Sequence, residues 1–406
     1  MTTTKQETER VELVFDGASF RLPAALGTPK EDQCQGTPDE QTIESAGRVC
    51  YDSYGKGRPT SAYHKHILDV KHLSVFEHVN FTVAIHNRLE RVLDLYRAVL
   101  NRPGVWMTAC ESGDPQQHRI TLNVRALVEW HCITEQQSHH TGDSKQYATL
   151  LGWALSQACR NFIPEITSRI ADSPFGPSWE LRTAENPAQK IAEFDARVTT
   201  PVHPQEKWIT LYMRGGRGWS HEQVRHKYGT AVSQRSTRYV DESQTPYATH
   251  PLIREYDAHN DEPIKRAAAI LKSREAYDDA VADLQAWLRE RGVDKQTARK
   301  QARGAARGYL GNALTTDMLF SANVQQWRWM LHERGNPAAD AEIRELFAGR
   351  MVHVPVNPDT SVPGITTCVL TELRKSKYRD SFADIELRES PDGLCNMTVM
   401  PDPKLQ

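Results

Sequence analysis

Residues 214–243 read RGGRGWSHEQVRHKYGTAVSQRSTRYVDES, a run that crowds cationic, hydroxyl and amide side chains between glycines. Such a run suits a phosphorylated ligand. Arg225 and Arg238 each offer a forked pair of donors to phosphate, while Ser233, Ser236 and Gln234 can hydrogen-bond a sugar or a base edge. His226 and Lys227 add a donor and a point charge. Taken singly, an RH or SxRY fragment is a solvated basic loop. The density of the whole run resists that reading.

Outward from this run, KWITLYM at 207–213 predicts a strand that leads into it, and two more strands are expected, VELVFD at 11–16 and VNFTVAI at 79–85. In the latter, Val79, Phe81, Val83 and Ile85 share one face. A helix is expected from about 41 to 50, and over 87–100 the spacing of Leu89, Leu93, Tyr96 and Leu100 predicts an amphipathic helix. After Pro246 the chain turns helical: Tyr277, Val281, Leu284 and Leu288 step along one stripe, and further helices are predicted at about 294–309 and 313–334. On the last, Asn323, Trp327, Met330 and Arg334 share a face, with Asn323 and Arg334 about 16 Å apart along the axis. Read alone, that face is a core stripe with polar ends. Arg299, Arg303 and Arg307 form a second stripe, by default a surface row.

Several of these pieces, in this order, resemble the flavin-dependent thymidylate synthase family. Arg225-His226-Lys227, followed by Ser233-Gln234-Arg235-Ser236-Thr237-Arg238-Tyr239, is similar to the family's Arg-His-Arg triplet and its Ser-containing run ending in Arg-Tyr, with Arg217 and His221 upstream. HLSVFEHVNFT at 72–82 is similar to the family's HxSVxEHxxFTF segment; by itself His78 reads as a hydrogen-bonded structural histidine. Arg48-Val49-Cys50-Tyr51 resembles the early helix and loop that approach the flavin. Asn323 matches the family's flavin-contacting Asn, and Arg307 and Arg334 match its nucleotide-binding arginines. The matches span roughly residues 41–85 and 208–350. Departures are Lys227 for an Arg, one extra residue between the RH and SQ pairs, Glu222 for a Gln, Lys71 for a Gly and Gln325 for an Arg.

The resemblance implies an α/β (α+β) fold, a curved central mixed sheet flanked by helices. It implies a discontinuous catalytic domain over 1–86 and 206–350, an insertion of unknown role over 87–205, and a C-terminal extension over 351–406. The implied reaction is FAD-dependent reductive methylation of uracil C5, dUMP to dTMP, with methylenetetrahydrofolate as carbon donor and NADPH as reductant. Arg334, Arg238 and Ser236 would be catalytic. His78, Thr82, Arg225, His226, Lys227, Gln234 and Asn323 would hold FAD. Glu222, Arg225, Ser233, Gln234, Ser236, Arg238, Arg307 and Arg334 would bind the nucleotide. The family also implies a homotetramer with sites built between subunits.

Composition sets limits on these expectations. Lys plus Arg number 50 against 52 Asp plus Glu, a formal net charge of −2 that gathers neither nucleic acid nor membrane. No signal peptide and no apolar run long enough to span a bilayer is found, which predicts a cytoplasmic protein. The seven cysteines are scattered, never spaced as CxxC, and predict neither disulfides nor a metal site. None sits in an electropositive setting, so no covalent thiol intermediate is expected. No GxGxxG occurs, so NADPH is expected to visit the flavin without a domain of its own. No internal repeat stands out, although LNVRALVEW at 122–130 faintly echoes SANVQQWRW at 321–329. Two alternatives remain: methylation of UMP or another pyrimidine nucleotide for nucleoside antibiotic or modified-base synthesis, and a non-catalytic nucleotide-binding protein.

Overall fold

A computed structural model describes residues 10–15, 35–100, 102–108, 114–136, 142–172, 185–259, 264–336, 338–351, 361–363, 369, 373, 385–389 and 395–399. In chain order the first elements are β1 (Arg10–Phe15), α1 (Pro38–Tyr51), α2 (Thr60–Asp69), β2 (Asn80–His86), α3 (Val92–Val99), β3 (Val105–Thr108), β4 (Gln117–Asn123) and α4 (Val124–Gln136). Then come α5 (Gly142–Cys159), α6 (Pro164–Asp172), α7 (Pro187–Ala192), β5 (Arg197–Val198), β6 (Trp208–Gly216), α8 (Arg217–Gln223), β7 (Thr230–Gln234) and α9 (Pro251–Ala258). The last large elements are α10 (Ile264–Glu290), α11 (Lys295–Ala306), β8 (Thr315–Asn323), α12 (Val324–Arg334) and α13 (Ala341–Ala348). Two small hairpins follow, Gly349–Met351 with Ser361–Pro363 and Ile385–Glu389 with Cys395–Val399.

The α+β class is what is found, but in place of one mixed sheet there are two antiparallel ones. One has the order β1-β6-β8-β7 and the other β3-β4-β2-β5. β8 is buried along all nine residues because it divides two cores. Met318, Phe320 and Ala322 point into one core with Trp219, Trp327 and Phe347. Leu319, with Tyr212 of β6, joins the other core, which is built from α1, α2, β2, β4, α4 and α5. α1 packs on β7, β8 and β1: Thr37 caps it in a reciprocal box with Glu40, Pro38 opens it, and Asp52 closes it in the left-handed region at φ 46°.

Two sequence expectations are corrected here. The helix expected over 313–334 starts only at Val324; Thr315–Asn323 is the central strand. A strand buried on both faces has no polar alternation, so its apolar run cannot be told from a buried helix by period. Asn323 sits at the switch, its Oδ1 accepting the Gln326 N–H at 2.8 Å as the helix N-cap. Asn323 therefore caps the helix and does not ride on the face carrying Trp327 and Met330. The stripe of Leu89, Leu93, Tyr96 and Leu100 is exposed, and the inward face of this segment is Leu95, Ala98 and Val99. Spacing finds the face of a helix; it does not say which way the face turns.

The stripe on α10 behaves as expected. Tyr277 is buried and Val281, Leu284 and Leu288 are half-buried. They lie on the helix that pairs with α11, whose Ala298, Ala302 and Ala306 are buried. Among the described residues no helix is long and apolar enough to cross a membrane.

Candidate active site

β7 organises the site, because the signature residues leave it at both ends. Before it, Gly229 takes φ +60° in the turn that follows Arg225-His226-Lys227; after it come Ser236, Arg238 and Tyr239. Five residues at about 3.3 Å each separate the two ends by roughly 15 Å.

At the first end Arg334, in the last turn of α12, is held from two sides. Its Nε donates to His226 Nε2 at 3.0 Å and its Nη1 to Glu222 Oε2 at 2.7 Å. His226 therefore accepts at Nε2, which places its own proton on Nδ1. Burial, reinforced by the Arg334 charge, pushes the imidazole down to about 4. The ring also meets Trp329 edge to face, centroids 5.1 Å apart. Such a neutral histidine adds no charge. It orients a guanidinium that keeps three of its five N–H donors for a ligand. Arg225 and Lys227 are exposed beside it.

Between the ends, His78 is a buried latch. Nδ1 pairs with Ser321 Oγ at 2.8 Å and Nε2 with Ser233 Oγ at 3.0 Å, joining the segment before β2 to strands β8 and β7. Burial pushes it down to about 3. Both imidazole nitrogens are spent on these hydroxyls, so His78 and Ser233 act on the site through the position of β7. Cys50 lies next to them, and burial raises its thiol to about 11, which keeps it protonated at neutral pH.

At the second end the backbone N–H of Ser236 donates to Cys50 O at 3.0 Å, and the Ser236 hydroxyl accepts from the Arg238 N–H at 3.4 Å. Tyr239 packs edge to face on Tyr51 at 5.0 Å, with Lys300 over its ring at 4.9 Å. Arg303 donates to Tyr239 O at 3.0 Å and pairs with Asp241. Arg238 and Arg307 are exposed, and no ion pair engages either among the described residues. Gln234 is fixed by its Nε2 donating to Ser220 Oγ at 3.0 Å and Thr316 Oγ1 at 3.2 Å.

The structure thus brings Glu222, Arg225, His226, Lys227 and Arg334 to one end and Ser236, Arg238 and Arg307 to the other. Thr82 stands apart: it is buried in the other sheet, its hydroxyl 2.8 Å from that of Thr121. Asn323 is also buried, spent on its cap. Arg48 is locked inside by Glu44 and the carbonyls of Ser53 and Arg58. Trp329 and the Tyr212–Asp317–Arg214 network carry no motif of their own. Only the fold shows that Asp317 accepts from Tyr212 and Arg214, each at 2.5 Å, beneath the Arg235 backbone. A cavity of about 590 Å³, lined by His86, Asn87, Arg91, Tyr147 and Phe194 among others, includes none of the signature residues.

The family model described as "Thymidylate synthase complementing protein" matches residues 34–92 and 205–354, just over half of the chain. This chain belongs to the flavin-dependent thymidylate synthase family. It is 36% identical over 142 residues to the flavin-dependent thymidylate synthase of Mycolicibacterium gilvum, covering 34% of this chain and 54% of that one. The counterpart from Corynebacterium diphtheriae is 34% identical over 232 residues, 49% of this chain and 88% of that one. A relative from Mycobacterium avium is 34% identical over 145 residues, again 34% and 54%. In the first of these matches the chain spans about half the length of its relative. Both ends of β7 fall inside the segments matched to the flavin-dependent thymidylate synthases, while β3, β4 and α4 to α7 fall outside them.

Proposed function

We propose that the protein reductively methylates uracil C5 in a nucleotide, converting dUMP to dTMP with FAD, carbon from methylenetetrahydrofolate and reducing equivalents from NADPH. The observation that carries this is Arg334, fixed by His226 and Glu222 with donors to spare, with Arg225, Arg238 and Arg307 exposed and engaged by no ion pair among the described residues. These residues fit a flavin and a nucleotide, since both bring phosphate charge that needs forked donors, and Lys227 adds a further cation. The bound flavin would supply the hydride that makes the transferred carbon a methyl group.

In this reading Ser236, Arg238 and Arg307 bind the nucleotide phosphate, and Arg334 stabilises charge developing on the uracil carbonyl. Gln234, held by Ser220 and Thr316, faces the nucleotide as a fixed amide. Arg225, His226 and Lys227 lie toward the flavin. The two ends of β7 are too far apart for one small ring pair to touch both. The family resemblance makes each a half-site that a second chain completes in a homotetramer, in the cytoplasm. The test is a visible spectrum of the pure protein, titrated in its reduced state with dUMP, UMP and dCMP. A yellow protein whose reduced flavin responds to dUMP is expected. A response to UMP alone would move the substrate to the ribonucleotide, and a colourless protein that takes up no FAD would end the enzyme reading.

A further inference from the structure

The two sheets are built on one plan. Each has an edge strand, then two long antiparallel strands, then a short strand: β1-β6-β8-β7 and β5-β2-β4-β3. Their registers agree residue for residue. Asn323, last in β8, stands opposite Trp208, first in β6; Asn123, last in β4, stands opposite Asn80, first in β2. Ala231 faces Ser321 as Trp106 faces Thr121, each two residues past a glycine.

The strand ends agree in chemistry as well. Both asparagines cap the helix that follows, accepting from the Gln326 N–H at 2.8 Å and the Ala126 N–H at 2.7 Å. Each donates its own N–H to a glycine carbonyl, Gly229 at 3.1 Å and Gly104 at 2.9 Å. These glycines have φ +60° and +74°, and at both the asparagine side chain lies where a Cβ would be. The next N–H closes on the residue before the partner strand, Val324 on Lys207 O at 2.9 Å and Val124 on Val79 O at 3.0 Å. Even the cross-strand hydroxyl pair recurs, Thr210 with Ser321 and Thr82 with Thr121.

The copies also reach into one another reciprocally. His78, two residues before β2, latches Ser233 and Ser321 of the other copy. Its counterpart two residues before β6 is Glu206. It accepts from Arg119 Nε at 2.9 Å and Nη2 at 2.7 Å and from the Thr108 hydroxyl, Thr108 being the counterpart of Ser233. The edge strands are exchanged in the same sense: β1 precedes β2 in the chain but pairs with β6, and β5 precedes β6 but pairs with β2.

We infer that residues 80–136, edged by Arg197–Val198, are a second copy of the catalytic unit that has lost its ligand chemistry, so that each chain carries one nucleotide and flavin site for two copies of the fold. Carrying the strand offset along the sequence sets Thr134 in the place of Arg334. A phosphate would find no guanidinium at that position. The segment between β2 and β6, read from sequence as an insertion, is then most of that copy. The silent copy positions the live one, since Val79, tied to the α4 cap, is the neighbour of His78.

The inference rests on the proposed function for the identity of the ligands. The experiment is the binding stoichiometry of FAD and dUMP on the full-length chain by equilibrium dialysis. One of each per chain is expected. Two of each would overturn the silent copy and leave the proposed function standing; none would overturn both. A second measurement uses Glu206→Gln, which weakens the latch from the start of β6 onto Thr108 and Arg119 of the silent copy. Flavin stoichiometry of one and affinity within about twofold of the parent are expected, together with a lower melting temperature. A tenfold loss of flavin affinity in a folded protein would overturn the reading that the copy this latch holds takes no part in the ligand site.

Discussion

Arg334 shows how a lone cation becomes a directed one. Nothing in the sequence pairs it with His226 or Glu222, which lie more than a hundred residues away. Arg334→Ala should lower turnover with dUMP by about 100-fold or more, the scale of losing a preorganised donor to developing charge. It should also let the His226 pKa rise from about 4 toward the ordinary imidazole value, read by NMR titration, because part of its depression comes from that charge. His78 gives a pH prediction with a definite sign. Its folded pKa of about 3 lies below the unfolded imidazole value near 6.5. Its contribution to stability is thus complete above about pH 6.5 and is lost as pH falls through that value toward 3. His78→Gln should flatten this part of the stability profile, measured by urea unfolding at several pH values, and a variant profile as steep as the parent's would refute it.

Among the elements, the strand–asparagine–helix corner is the recurring part, and it makes comparable demands at both places. Asn123→Ala and Asn323→Ala should each cost about 1 kcal/mol, the usual loss of an N-cap, with the second also weakening flavin binding through the position of α12. Gly104→Ala and Gly229→Ala should cost more than their caps do. An added Cβ would meet the Asn123 Nδ2 at 2.1 Å or the Asn323 Nδ2 at 2.4 Å, on a backbone that favours glycine. Chemical denaturation of the four variants checks the ranking. The same corner marks where periodicity misled: β8 reads as helix because both of its faces are apolar, and the asparagine that ends it looks like a residue on the helix face.

Over the whole molecule, the exchange of edge strands and latches makes the two copies depend on each other. Arg119 and Glu206 form the buried ion pair of that exchange, and several hydrogen bonds onto the carboxylate hold Glu206 down at about 2 despite burial. Arg119→Ala would leave that carboxylate buried without its cation, a change expected to cost about 3–5 kcal/mol in urea unfolding. Its contribution is present above the ordinary carboxylate range and lost as pH falls toward 2. Loss of this pair should loosen both sheets in one cooperative transition, since β5 and β6 are consecutive in the chain yet belong to different sheets.

The sequence by itself determined the family, the strands at 11–16, 79–85 and 207–213 and the residues of the two signature ends, because those depend on local alternation and on side-chain chemistry at short spacing. Tertiary structure alone decided that the signature ends lie at opposite ends of one strand and that Thr82 and Asn323 are buried, and it turned the faint echo of 122–130 in 321–329 into a shared plan of strands. The physical reason is that a fold can be copied through its backbone register, its glycine turn and its asparagine cap, a handful of positions spread over a hundred residues. The remaining side chains need only fill their cores, and they are free to drift until the faint echo of LNVRALVEW in SANVQQWRW is what a reading along the chain still sees of the copy.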